Sequence, residues 1–67
     1  MNPKVGDMVY VPSETYLFGE GTKSVQKLSK PNSFLVIGEG HQYYQVLMSG
    51  NPWWVRKRDV YNTVGGD

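Results

Sequence analysis

A chain of 67 residues has room for one domain, and without cysteine it can use neither a disulfide framework nor a cysteine-based metal site. Its stability must come from packing, for which the 13% aromatic content supplies large apolar areas. Seven Lys and Arg against six Asp and Glu leave a formal charge of +1, short of the basic excess expected of a dedicated nucleic-acid binder.

Taken in chain order, the sequence is written in short strands. Met1-Asn2-Pro3-Lys4 is followed by Val5-Gly6-Asp7 and not by an apolar leader. No apolar run approaches the roughly 20 residues of a membrane helix. The expectation is a cytoplasmic protein with no membrane contact. Val5 to Pro12 alternates, with Val9 and Val11 on one face and Met8 and Tyr10 on the other. Ser13 to Phe18 continues as an extended piece, and Gly19-Glu20-Gly21 is a turn. Thr22 to Lys30 offers too little periodicity for a helix before Pro31. Phe34-Leu35-Val36-Ile37 is the most apolar run and is expected to be a strand buried on much of both faces. Gly38-Glu39-Gly40 ends it. Tyr43 to Met48 and Trp53 to Arg56 are strands joined by a short Ser49-Gly50-Asn51 hairpin. Asp59-Val60-Tyr61 closes the domain, whose core runs from about residue 4 to 63 with a frayed tail over 64–67. Asp7 is expected to cap a turn before the first strand, and Asp59 to cap a short helical turn.

Little in the chain points to catalysis. His41 is the only histidine, and it sits in a Gly-flanked polar turn. The serines at positions 13, 24, 29, 33 and 49 lie in no nucleophile motif. The carboxylates are scattered, and no phosphate-binding loop is present. The expectation is a non-enzyme with no catalytic residue, metal or cofactor.

Several of these segments have a family look. Lys4 to Val11 resembles the opening strand of bacterial SH3-like and KOW-type barrels, where a Gly-Asp pair precedes a hydrophobic strand. Gly50 to Tyr61 resembles their last hairpin, in which an aromatic-Val strand runs into a helical turn whose Asp-apolar pair plugs the barrel. The Pro12-Ser13 bend, Pro31 before Leu35-Val36-Ile37-Gly38, and the Trp-rich strand before Asp59-Val60-Tyr61 make the whole similar to small proteins encoded by tailed bacteriophages. The resemblance covers most of residues 4 to 63. It implies an all-β, five-stranded SH3-like barrel with a long first loop and a short helical turn before the last strand. The opening Ala-Leu-Tyr-type strand of eukaryotic signalling SH3 domains is missing.

The candidate binding residues are aromatic and basic. Trp53 and Trp54 are adjacent on a strand and must point to opposite faces. Alternation sends Trp53 inward with Val55 and Trp54 outward as an anchor for a partner. A second reading has both rings covered, one by the core and one by the first loop. Tyr16, Phe18 and Tyr43 are expected to flank the outward ring, either lining a shallow groove or pinning the loop. Arg56-Lys57-Arg58 is the one dense basic run, read either as part of this patch or as a solvated turn. Together these residues describe a protein-binding module, and the resemblance to tailed-bacteriophage proteins implies a phage factor that docks on or inhibits a host protein in the host cytoplasm. The alternatives are a KOW-like nucleic-acid binder and a self-associating structural protein.

Overall fold

Strands form where the expectations placed them, and one more forms in the long first connection. The computed structural model describes residues 3–19, 21 and 23–62. Its elements are β1 (Met8–Val11), β2 (Tyr16–Gly19), β3 (Val25–Lys27), β4 (Asn32–Glu39), β5 (Tyr43–Met48), β6 (Asn51–Arg56), a 3-10 turn (Lys57–Asp59) and β7 (Tyr61–Asn62). The frayed tail expected over 64–67 and the centre of the Gly19–Gly21 turn lie outside the described residues. No described helix is long and apolar enough to cross a membrane.

The strands form one antiparallel sheet in the order β3-β2-β6-β5-β4-β1-β7. The strand count of the expected five-stranded barrel is therefore corrected, and the ladder does not close among the described residues. Among the described residues the sheet has seven strands, the last of only two residues, with β3 and β7 at its edges. The count was low because β3 has no inward side chain: Val25, Gln26 and Lys27 are all exposed. Backbone pairing to β2, through Tyr16–Lys27, Leu17–Gln26 and Phe18–Val25, defines it. Hydrophobic patterning does not register such a strand.

One sheet can bury a face only by curling over itself, and this one does. Val9 and Val11 of β1 and Leu17 of β2 are fully buried and belong to one core with Phe34, Val36, Tyr44, Val46 and Val55, although β1 and β2 are four strands apart in the sheet. Val60, like Leu28, Met48 and Trp53, is half-buried against it. The β4 run is also corrected. Phe34 and Val36 are covered, but Leu35 and Ile37 are 39% and 36% exposed, because the second face of the sheet has no layer of described structure over it.

Three local features set the register. Asp7 closes the turn before β1 as expected: the Lys4 N–H donates to its Oδ2 at 2.9 Å, and its own N–H donates to the Lys4 carbonyl at 2.9 Å. Ser49 (φ 54°) and Gly50 (φ 80°) both take the left-handed conformation that a two-residue hairpin needs to match strand twist. A β-bulge shifts the β4–β5 register between Val36 and Gly38. There a Cβ on Gly38 would lie 3.2 Å from the Cβ of Gln45, so the strands approach closely. Asp59 does not cap the 3-10 turn. It is the last residue of that turn, and Arg56 holds the N-cap position with no side-chain bond.

Candidate binding site

The two tryptophans part as alternation requires. Trp53 packs half-buried against the core beside Val55 and contributes to the fold from within. Trp54 stands on the outer face, between Phe18 of β2 and Gln45 of β5 in the cross-strand register. It is half-buried there, partly because its six-membered ring lies over the β4–β5 turn: a Cβ on Gly40 would be 3.5 Å from Trp54 Cζ3.

Antiparallel pairing then assembles the rest. Tyr43 lies opposite Arg56, next to the Gln45–Trp54 pair. Phe18 meets Tyr43 edge to face, with ring centroids 6.2 Å apart and an interplanar angle of 88°. The Arg56 guanidinium lies 5.6 Å from the Phe18 centroid, a diagonal cross-strand contact. Phe18, Tyr43, Trp54 and Arg56 thus form one cluster. Tyr16 adjoins it on β2, half-exposed, with the Lys27 ammonium 5.9 Å from its ring centroid.

The basic run is divided in use. Lys57 donates to Glu39 Oε2 at 2.7 Å and lies 5.0 Å from the Tyr44 ring centroid. Tyr44 in turn donates its buried hydroxyl to the Pro3 carbonyl at 3.2 Å. Lys57 therefore ties the β4–β5 hairpin to the 3-10 turn. Among the described residues, Arg56 and Arg58 form no ion pair. Both line an open cleft of about 580 Å³, together with His41, Gln42, Tyr43 and Lys57. The Lys57 N–H donates to the Gln42 carbonyl at 3.0 Å and holds the two walls together.

His41 and Gln42 were not among the candidate residues, although the signal was present. Once Ser49-Gly50 is taken as the two-residue turn, counting back pairs Tyr43 with Arg56 and brings 41 and 42 beside 57 and 58. Sequence reading also missed an apolar row across the outer face. Met8, Leu35, Leu47 and Pro52 are successive cross-strand partners on β1, β4, β5 and β6. The first three are each about 40% exposed, and Pro52 is half-buried. Among the described residues no three His, Cys, Asp or Glu side chains group as a metal site.

Compared with protein-family models, curated proteins and solved structures, the chain matches none.

Proposed function

We propose that this chain is a non-enzymatic protein-binding module of SH3-like type that grips its partner with the outer face of β2, β6 and β5. The observation that carries this reading is the continuity of two patches. The Phe18–Tyr43–Trp54–Arg56 cluster adjoins the apolar row Met8–Leu35–Leu47–Pro52 on one face of the sheet. Tryptophan, tyrosine and arginine dominate interface hot spots, and the apolar row extends the cluster with further exposed apolar surface. The SH3-like assignment draws support from the β2–β3 hairpin in the long first connection, the tight β4-β5-β6 meander and the 3-10 turn before β7. The setting, a phage factor acting on a host protein in the host cytoplasm, rests on the resemblance of the sequence.

A second reading has one observation in its favour. Arg56 and Arg58 line a cleft beside Tyr43 without carboxylate partners among the described residues, a basic-aromatic composition that also suits nucleic acid. Two measurements test these readings. Capture of proteins from host lysate by the wild-type chain is expected to fail with Trp54→Ala, while the circular dichroism of that variant stays native. Titration with single-stranded and duplex oligonucleotides is expected to show no saturable binding at low salt. Capture unaffected by Trp54→Ala, or tight oligonucleotide binding with a steep salt slope, would overturn the proposal.

A further inference from the structure

The outer face has a direction. Along β5 and β6 the cross-strand pairs run Tyr43–Arg56, then Gln45–Trp54, then Leu47–Pro52. The first pair opens onto the cleft with Arg58 and His41. The last belongs to the apolar row with Leu35 and Met8. One end is therefore cationic, the other apolar, and Trp54 stands between them. From Arg56 to Pro52 is four residues of strand, a span of about 13 Å at the usual rise.

The cationic end is arranged for an anion, and among the described residues Arg56 and Arg58 have no carboxylate partner. The described residues lining the cleft include no carboxylate. Glu39, the nearest acid to which the cleft bonds, is engaged by Lys57 at 2.7 Å. Asp59 lies in the same turn but forms no ion pair with Arg56 or Arg58. Arg56 is held in place by the Phe18 ring and not by a charge. A guanidinium resting on an aromatic ring keeps N–H groups for in-plane, two-pronged recognition of a carboxylate.

Resting on the protein-binding reading, we infer that the partner segment is an extended acidic peptide. A carboxylate of this segment enters the His41–Tyr43–Arg56–Arg58 cleft, and an apolar side chain about four positions along covers Leu47 and Leu35. Charge complementarity selects the acid, and the spacing of the two ends selects the extended form. Nucleic acid suits the face less well, because the cations stop at one end and apolar side chains occupy the other.

The test uses the full chain, labelled with nitrogen-15, and three capped peptides. In the first, two aspartates are followed four positions on by two leucines. The second replaces the aspartates with asparagine, and the third replaces the leucines with serine. Binding of the first is expected with a Kd on the order of 1 mM or tighter, which shifted amide and arginine side-chain signals can read. Shifts are expected at His41, Tyr43, Arg56, Arg58 and Leu47. The asparagine peptide is expected to bind at least about fivefold more weakly, as is the first peptide to Arg58→Glu. Lys30→Glu makes the same charge change two residues before β4, whose far end carries Glu39, and is expected to leave binding unchanged. Equal binding of the aspartate and asparagine peptides, with loss only for the serine peptide, overturns the acidic-partner inference and leaves the protein-binding face standing. Equal weakening by Lys30→Glu and Arg58→Glu also overturns it, as nonspecific charge attraction. No shifts at the cleft with the first peptide overturns it outright. Tighter binding of a ten-nucleotide oligothymidylate at the same residues overturns the inference and the protein-binding reading together.

Discussion

Strands β4, β5 and β6 carry apolar side chains on both faces, yet the two faces meet different fates. On the inner face Phe34, Val36, Val46 and Val55 are closed off by β1 and β2 as the sheet curls. On the outer face Leu35, Ile37 and Leu47 remain between 36% and 40% exposed. The residues are chemically alike, so burial here is decided by curvature and not by composition. A sheet that curls one way buries its concave side and presents its convex side, whatever that side contains. The convex side in this molecule holds the aromatic cluster with Arg56 and the apolar row, and its chemistry is left over for contact with something else.

The largest expected contrast is between two leucines. Leu17→Ala, on the inner face, should cost about 3 kcal/mol, since transfer and cavity terms add at a fully buried site. Leu47→Ala, on the outer face, should cost less than about 1 kcal/mol. Urea unfolding midpoints measure both, and equal losses would mean that the outer face is covered in solution. The tryptophans sharpen the same comparison. Trp53→Ala should lower stability by about 2 kcal/mol, less than a fully buried ring because Trp53 is only half-buried. Trp54→Ala should cost roughly half as much, measured in the same way. A larger loss for Trp54 would assign it to the fold and not to binding. The bulge offers a single-site check of how closely the inner strands approach. Gly38→Ala should cost about 1 kcal/mol, because its Cβ would crowd that of Gln45 at 3.2 Å. Thermal melting reads this change, and no loss would show that the β4–β5 strands can separate there freely.

Much of this was legible beforehand. The faces of β1, the Asp7 turn and the opposition of Trp53 and Trp54 follow from local rules that act over two to four residues, and the hairpin expected at Ser49-Gly50-Asn51 tightens to Ser49-Gly50, with Asn51 and Pro52 joining β6. The edge strand β3 was not legible, because its side chains all face solvent and only backbone bonds define it. The cleft was half legible: Tyr43 and Arg56 to Arg58 stood out as residue types, whereas His41 and Gln42 acquire a place only from the hairpin register. The division of labour within Arg56-Lys57-Arg58 could not be read from three adjacent cations, since it depends on Glu39, which lies 18 positions from Lys57.

By itself, the sequence determined an all-β chain, its main strands, its tight turns and which side chains share a face, because each follows from a period of two and from the conformations that Gly, Pro and Asp favour. Tertiary structure alone decided how many strands join, that their ladder stays open, and which apolar face is hidden. Those outcomes depend on how far the sheet curls and which distant strands meet, and that is a sum over long-range contacts no local pattern contains.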